Sequence, residues 1–264
     1  MSGKVSFDFS GTNVMVFGGT SGINLGIAES FARSGAHVSV VGRKADKAEA
    51  AAAQLADIAP EGVGAKFYTA DVRDLEAVEA VYASHDADVG KVDVLVSGAA
   101  GNFPALFNQM SSNGFKAVVE IDLVGTFHVL RAGFAHLRGP GASVINISAP
   151  QAEIAMGLQS HVCAAKAGVD MVTKTLSIEW GAKGIRVNSV IPGPIDGTEG
   201  MARLAPTEQM RKAVINAVPL GRFGTPDDVA QTCLFLASDA GRYVSGAILP
   251  ADGGWLAAGA RLGF

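Results

Sequence analysis

Short apolar runs alternate with longer stretches of helical periodicity along the whole chain. Seven runs of four to six residues, most of them rich in valine and isoleucine, are predicted as strands: residues 13–17, 37–41, 65–69, 92–97, 143–147, 186–191 and 247–250. Six stretches between them are predicted as helices: residues 22–34, 44–58, 75–87, 113–137, 161–182 and 225–237. Short apolar runs and helical periodicity differ enough to distinguish the strands from the helices.

The order of these elements predicts the fold class. Nearly continuous apolar strands are typical of a parallel sheet that helices cover on both faces. Regular alternation of strand and helix indicates a single-domain, Rossmann-type, doubly wound α/β fold. Ligands bind such sheets in a crevice at the carboxyl ends of the strands. Residues 197–220 interrupt the alternation with glycine, proline and mixed helical character, and we predict a mobile substrate flap there.

Composition narrows the class of protein. The chain has 264 residues, of which 48% are hydrophobic and 17% charged, so one domain with a large core is expected. A net charge of −4 without a basic run argues against nucleic acid as the partner. No window holds the roughly 18 uninterrupted apolar residues of a membrane span. The two cysteines, Cys163 and Cys233, form no metal-ligand spacing.

The two ends of the sequence bear on location. Residues 1–8 lack the apolar core of an export signal. Residues 261–264 do not form a peroxisomal address of the Ser-Lys-Leu kind. We therefore expect a cytoplasmic protein.

A glycine-rich stretch, residues 18–26, follows the first predicted strand and opens the first helix. Glycines let the backbone turn tightly and approach a pyrophosphate, whose charge then lies at the helix amino terminus. The alternative is a plain strand-to-helix turn. The position in the first strand–helix unit favours a nucleotide site.

The end of the second predicted strand indicates which nicotinamide cofactor is used. NAD enzymes place an acid there to bind the ribose 2′-hydroxyl. Here the strand continues into Arg43 and Lys44, and the first acid is Asp46. A guanidinium can pair with a 2′-phosphate through two hydrogen bonds. We expect NADP(H); the alternative for Arg43 is a solvated helix start.

Several motifs together resemble the short-chain dehydrogenase/reductase family, over nearly the whole chain. The matching stretches are residues 99–103, 121–127, 159–166, 169–170, 179–181, 185–189, 192–200 and 251–254. Three features are more specific: the Ala99–Phe103 string, Asp122 in place of the usual asparagine, and a string ending in Lys166 that lacks tyrosine. They are similar to the peroxisomal-type 2,4-dienoyl-CoA reductases. That resemblance implies NADPH-dependent reduction of a 2,4-dienoyl-CoA to a 3-enoyl-CoA by a homotetramer.

The usual catalytic hydroxyls of this family are missing. Most members carry a tyrosine four residues before the lysine, where this chain has Val162. Their serine, seventeen residues before the lysine, corresponds to Ala149. Lys166 alone remains of the three, so we expect that the chain has lost the usual carbonyl chemistry.

The resemblance also assigns a cofactor site. Gly18 and Gly22 match the first two glycines of the family pattern, whereas Asn24 occupies the third. The implied cofactor-binding residues are Gly18, Thr20, Ser21, Gly22, Ile23, Arg43, Asp71, Val72, Ala99, Lys166, Pro192, Gly193, Ile195 and Thr198. Four of these keep an alternative: Asp71 as a helix cap, Pro192 and Gly193 as a rigid turn and Lys166 as part of a solvated helix face.

Reduction of a conjugated thioester does not need the missing tyrosine. Charge collects on the thioester oxygen, which needs hydrogen-bond donors, and a carbon takes the proton. The candidate residues for these steps, besides Lys166, are Asn102 as a donor and Asp122, Asp170 and Asp252 as managers of the proton. Asp170 is preferred because it lies one helical turn after Lys166.

Each candidate has a structural alternative. Asn102 and Asp252 can be turn residues, and Asp170 can form a simple salt bridge with Lys166. His161 is more typical of a packed polar residue than of a catalyst. Fold alone does not secure chemistry. Two rival functions therefore remain: a reductase of another carbonyl, keto-acyl or steroid substrate, and a non-catalytic NADP(H)-sensing protein.

Overall fold

The computed structural model describes residues 5–258, which form one sheet with helices on both faces. Within that range every pair of neighbouring strands is parallel, in the order β3-β2-β1-β4-β5-β6-β7. The strands are β1 Asn13–Phe17, β2 His37–Gly42, β3 Ala65–Thr69, β4 Val94–Ser97, β5 Ser143–Ile147, β6 Arg186–Pro192 and β7 Ile248–Ala251. The predicted doubly wound fold is confirmed.

The helices follow the strands as the periodicity predicted. They are α1 Gly22–Arg33, α2 Ala45–Ile58, α3 Leu75–Asp88, α4 Ser112–Val119, α5 Gly125–Gly133, α6 Ser160–Gly181, α7 Glu199–Leu204, α8 Glu208–Ala217 and α9 Pro226–Ala237. Short 3₁₀ turns cover Phe107–Gln109, Phe134–His136, Pro150–Ala152, Asp239–Gly241 and Leu256–Ala258. Between residues 5 and 258, none of the helices has both the length and the apolar character needed to cross a bilayer.

The core lies in two layers, one on each face of the sheet. Val14 and Val16 of β1 pack into the layer beneath α1, α2 and α9. Met15 and Phe17 alternate with these valines along β1 and pack into the opposite layer with α3 and α5. Side chains of a strand alternate between the two faces, so an unbroken apolar run supplies both layers. The carboxyl ends of the strands are thereby held rigidly at one edge.

The helix predicted at residues 113–137 is confirmed as one helical stretch over residues 112–136, with a π-helical turn within it. The π-helical turn Glu120–Val124 separates α4 from α5. Asp122, in this turn, directs its carboxylate to the backbone N–H of Gly101. Gly125 packs against Val72 so closely that a Cβ atom there would lie 2.5 Å from the valine Cγ2. The π-turn and the adjoining Gly125 thus carry contacts to Gly101 and Val72, and π-turns are frequent at functional sites.

Residues 197–220 form two short helices, α7 and α8. The hydroxyls of Thr198 and Thr207 cap them by accepting N–H bonds from Met201 and Met210. Met201 packs with Ala205 and Phe223 in a small apolar cluster of its own. The mixed helical character matches the prediction, and the motion of this segment as a flap stays a prediction.

Candidate active site

A cleft of about 450 Å³ opens at the carboxyl ends of the strands. All the predicted cofactor-binding residues line it: Gly18, Thr20, Ser21, Gly22, Ile23, Arg43, Asp71, Val72, Ala99, Lys166, Pro192, Gly193, Ile195 and Thr198. Of the predicted catalytic residues, Asn102, Asp122 and Lys166 line the same cleft. Asp170 and Asp252 are not among the residues that line it. The crevice therefore brings together predicted residues from seven segments of the chain.

The turn between β1 and α1 has the geometry of a phosphate cradle. Gly18 and Gly22 have φ values of 77° and 58°, a left-handed conformation that favours glycine. A Cβ atom on Gly18 would lie 2.9 Å from Ala99 Cα, so the turn approaches the end of β4 closely. Ser21, at the N-cap of α1, makes no side-chain cap bond, and the first turn contains no acid. The positive end of the helix dipole thus faces the cleft and favours an anion.

Two opposite charges, Arg43 and Asp71, line the cleft after β2 and β3. Arg43 is exposed directly after β2, and within residues 5–258 it forms no ion pair. Asp71 is bound by Arg73, whose Nη2 donates to Oδ2 over 2.6 Å, and this bond lowers the pKa of Asp71. The helix cap of α3 is Asp74, which accepts the Ala77 N–H. The alternative of Asp71 as that cap is therefore wrong.

Lys166 and Asp122 form a buried pair at the centre of the cleft. Lys166 is 4% exposed, and its Nζ donates to the carbonyl of Ile147 over 2.8 Å. The same Nζ lies 3.8 Å from Oδ2 of Asp122, which is 1% exposed. Oδ1 of Asp122 accepts the Gly101 N–H over 2.7 Å. Burial raises the pKa of Asp122, while Lys166 and Gly101 oppose the rise. The alternative of Lys166 on a solvated helix face is therefore wrong.

Asp170 has the position on α6 that the helical spacing indicated, but it is not among the residues that line the cleft. It is buried on α6, one turn from Lys166, yet the salt bridge of this lysine is with Asp122. Its carboxylate faces the hydroxyls of Ser148 and Ser189, and burial raises its pKa against their effect. The expected i,i+4 salt bridge is absent from the described residues, because Asp122 approaches Lys166 from another helix. Its role in proton transfer stays a prediction.

Asp252 has the geometry of a turn acid. Its carboxylate accepts the N–H groups of Gly254 and Leu256 over 2.9 and 2.7 Å. Gly193 packs against it so closely that a Cβ atom there would lie 2.5 Å from Asp252 Cα. Asp252 therefore supports the cleft from behind Gly193, and a part in the chemistry remains a prediction.

Apolar side chains occupy the positions of the missing hydroxyls. Val162, 3% exposed, and Ala149 both line the cleft beside Lys166. The sequence reasoning missed two polar neighbours, Ser148 and Gln151, which are buried and line the same wall. Ser148 Oγ has no hydrogen-bond partner among the described residues. Its position immediately after β5, at the carboxyl edge of the sheet, was the available signal.

His161 and Asn102 lie close to this wall. The His161 ring is fully buried, its centroid is 4.6 Å from that of Phe103, and burial lowers the pKa of the imidazole. This supports a packed polar role for His161. Asn102 Oδ1 is buried without a partner in the described part of the chain, and the Asn102 carbonyl accepts from Arg203.

The fold and the cleft define a Rossmann-type dinucleotide-binding protein. A family model described as enoyl-(acyl carrier protein) reductase matches residues 18–256. The chain belongs to the short-chain dehydrogenase/reductase family and is an oxidoreductase of that family.

Three curated relatives are similar over most of the chain. A peroxisomal 2,4-dienoyl-CoA reductase of Arabidopsis thaliana, (3E)-enoyl-CoA-producing, is 38% identical over 93% of this chain and 85% of that protein. The Rattus norvegicus protein of the same name is 41% identical over 91% and 82%. A Bacillus subtilis protein named "Probable 2,4-dienoyl-CoA reductase [(2E)-enoyl-CoA-producing]" is 38% identical over 92% and 96%.

Solved structures confirm the fold. A short chain dehydrogenase from Bacillus anthracis matches with a TM-score of 0.82 and 35% identity, over 92% of this chain and 96% of that one. A dehydrogenase/reductase from Sinorhizobium meliloti matches with a TM-score of 0.87 and 31% identity, over 97% and 98%.

Proposed function

We propose that this protein is an NADPH-dependent reductase of unsaturated acyl-CoA thioesters, which converts 2,4-dienoyl-CoA to 3-enoyl-CoA in the degradation of unsaturated fatty acids. One observation carries the proposal. Val162 and Ala149 leave the cleft without either usual hydroxyl donor, while a carboxylate, Asp122, faces Lys166 at the same place. The names of the Arabidopsis, Rattus and Bacillus relatives support the same substrate class.

The cleft fits a dinucleotide that carries a 2′-phosphate. The amino end of α1, which has no side-chain cap bond, would hold the diphosphate. Arg43 is an exposed cation that forms no ion pair within the described residues, although it contributes to lowering the pKa of Asp71, and a guanidinium favours a 2′-phosphate over a hydroxyl. Lys166 would bind the nicotinamide ribose, and the Pro192–Gly193 and Thr198 loop would hold the carboxamide. The cofactor supplies the hydride.

The buried pair suits protonation at carbon. Hydride addition at C5 of a 2,4-dienoyl thioester places the negative charge on the thioester oxygen, as an extended enolate. The amide of Asn102 is positioned at the cleft to donate a hydrogen bond to that oxygen. A water held between the Asp122 carboxylate and the Lys166 ammonium then delivers a proton to C2 and takes a proton in turn from the ammonium, which solvent restores. The double bond remains between C3 and C4. We expect poor reduction of simple ketones, because the oxygen of a ketone needs a direct proton donor.

The mouth of the cleft is apolar enough to hold an acyl chain. Exposed apolar side chains occur on three segments, of which one contributes Leu204 to the cleft lining and another follows the lining residue Asn102. They are Phe103, Leu106, Phe107, Leu158 and Leu204, together called the apolar rim. The Ala105 N–H donates to the Leu158 carbonyl over 2.9 Å, so two of these segments are joined. Arg203 joins α7 to the first through the Asn102 carbonyl. Isolated apolar residues are common on surfaces, whereas a contiguous group beside a cleft supports ligand binding.

The outer faces of α5 and α6 support association with further copies of this chain. Phe127, Met171 and Ile178 are 50%, 60% and 81% exposed on these two helices. A homotetramer built on this surface is part of the proposal. Cytoplasmic location stays a prediction, since the names of the relatives include peroxisomal proteins as well as a Bacillus protein.

The test is reduction of 2,4-hexadienoyl-CoA and 2,4-decadienoyl-CoA, followed by oxidation of NADPH, with the product identified by mass spectrometry and chromatography. We expect a 3-enoyl-CoA. A 2-enoyl-CoA product would agree with a dienoyl-CoA reductase but would contradict protonation at C2. Rapid reduction of a 3-ketoacyl-CoA without dienoyl-CoA activity would favour the rival reductase. Binding of NADPH without turnover of any of these compounds would favour the sensor.

A further inference from the structure

Asn24 replaces the third glycine of the cofactor turn, and the structure shows what the replacement does. It lies in the first turn of α1 and lines the cleft. Its Nδ2 donates to the carbonyl of Gly98 over 2.7 Å, which joins the phosphate turn to the residue after β4. The two residues are 74 positions apart in the chain. A glycine at position 24 could not make this connection.

The partner of Asn24 is a glycine because no side chain fits there. A Cβ atom on Gly98 would lie 2.3 Å from Asn24 Oδ1 and 2.5 Å from its Cγ. The φ angle of Gly98 is not in the left-handed region, so space and not backbone conformation requires glycine. The carboxamide of Asn24 therefore fills the volume that a side chain at position 98 would occupy. Glycine is therefore needed at position 98, directly after β4, and not at position 24 in α1.

One atom of Asn24 is left without a partner. Oδ1 is buried, and within residues 5–258 nothing donates a hydrogen bond to it. A buried carbonyl oxygen without a donor costs free energy, and native structures rarely leave one unsatisfied unless a ligand or water supplies the donor. A nicotinamide dinucleotide carries ribose hydroxyls on both sides of its diphosphate, and the cleft at Asn24 is where that diphosphate would lie.

We propose that Asn24 is a cofactor-positioning residue with two contacts. Nδ2 ties the phosphate turn to Gly98, and Oδ1 accepts a hydrogen bond from a ribose hydroxyl of the bound dinucleotide. This inference rests on the proposed cofactor. It assigns to a position that family members fill with glycine a role in both the shape of the turn and the affinity for the dinucleotide.

The experiment separates packing from hydrogen bonding in the full-length protein. Asn24→Gly is compared with the exchange variant Asn24→Gly/Gly98→Ala, which returns a side chain to the vacated volume. Equilibrium binding of NADPH is measured by nicotinamide fluorescence, and thermal unfolding is measured without cofactor. Asn24→Gly should bind NADPH about tenfold more weakly, which is the scale of one lost hydrogen bond. The exchange variant should unfold near the wild-type temperature and remain about tenfold weaker in binding.

Two further variants test the space at position 98 and the charge at position 24 separately. Gly98→Ala alone should lower the unfolding temperature, because Asn24 still occupies the space. Asn24→Asp should bind NADPH more weakly than Asn24→Gly, because a carboxylate loses the donor to Gly98 and repels the diphosphate.

Wild-type affinity in Asn24→Gly would overturn the proposal. Full recovery of affinity in the exchange variant would show that Asn24 only fills space, and would overturn the ribose contact. If the wild type binds neither NADPH nor NADH, the proposed function fails and the ribose contact fails with it.

Discussion

The cleft has two sides that are built differently. The cofactor side comprises the ends of β1, β2 and β3, with Gly18, Gly22 and Arg43 facing the cleft. The reaction side comprises the ends of β4 and β5 and the helix α6, with Asp122 and Lys166 at its centre. The cofactor side uses backbone shape and an exposed cation, whereas the reaction side uses a buried ion pair.

This difference has an energetic consequence. A glycine turn and an exposed guanidinium lose little hydration on folding. Burying Asp122 and Lys166 removes two charges from water, and their attraction must offset a penalty of several kcal/mol per ion. The pKa of Asp122 is raised by that burial, so its proton is held more readily than by an ordinary aspartate. The cofactor side is therefore suited to binding, and the reaction side to moving a proton.

The largest effect is expected from Asp122→Asn, which tests the reaction side directly. The amide keeps an acceptor for the Gly101 N–H and removes the charge opposite Lys166. We expect kcat with 2,4-hexadienoyl-CoA to fall about 10²-fold or more, the scale of general acid–base catalysis. Affinity for NADPH, measured by fluorescence, should change little. The ionised carboxylate is the form that holds the water, so wild-type kcat should also fall as the pH is lowered through the raised pKa of Asp122 and the carboxylate is protonated.

Asp170→Asn is the matched control for that substitution. Both carboxylates are buried and carry a raised pKa, yet only Asp122 lines the cleft. We expect a much smaller loss of kcat in Asp170→Asn. The hypothesis based on helical spacing expects the opposite order, so a loss on the order of 10²-fold confined to Asp170→Asn would contradict the role of Asp122.

The second prediction concerns a buried titratable group away from the cleft. His85, on α3, is 1% exposed and burial lowers its pKa to about 4. Between the unfolded value of about 6.5 and this value the unfolded chain binds more protons, so stability falls as the pH falls. The free energy of unfolding should drop by roughly 3 kcal/mol from neutral pH to pH about 4 through this group.

His85→Phe keeps a ring of similar size and removes the titration. Chemical denaturation across this pH range should show a shallower decline for the variant than for the wild type. Identical pH slopes would show that His85 is not the responsible group. The kcat profile should not follow His85, because this residue lies outside the cleft.

The third prediction tests the cofactor side. Arg43→Ala should weaken NADPH binding about 10- to 100-fold, since charge-assisted hydrogen bonds contribute about 1.5–3 kcal/mol. NADH binding should change little, because it carries no 2′-phosphate. Lys44→Ala is the control, as Lys44 is an adjacent exposed cation that is not among the residues lining the cleft. Equal affinity of the wild type for NADH and NADPH would contradict the prediction.

The smallest effect is expected at the apolar rim. Leu106→Ser/Phe107→Ser removes two side chains that are 51% and 76% exposed. KM for 2,4-decadienoyl-CoA should rise by about three- to tenfold, because burial of each methylene of the longer acyl chain contributes about 0.8 kcal/mol to binding. KM for 2,4-hexadienoyl-CoA should stay unchanged. Tyr243→Ser, at a fully exposed tyrosine, is the control. A parallel rise for both substrates would place the acyl chain elsewhere.

Much of the cofactor side could be predicted because its signals are local. β1, β3 and β5 have the predicted bounds, and Gly18 and Gly22 have the predicted backbone conformation. β4 is shorter than predicted because Val92 makes only an isolated bridge to Leu137. On the reaction side the pairing was less accessible. Helical spacing placed Asp170 near Lys166, but an approach by another helix cannot be read from spacing.

The sequence by itself determined the alternation of strands and helices, the glycine turn, the cation after β2 and the replacement of the usual tyrosine and serine by Val162 and Ala149. Each is a property of neighbouring residues, which periodicity and residue type record directly. The tertiary structure alone decided that Asp122 and not Asp170 pairs with Lys166 and that Asn24 excludes a side chain at Gly98. These depend on side-chain packing between segments distant in the chain, where a few tenths of an ångström decide whether two groups fit.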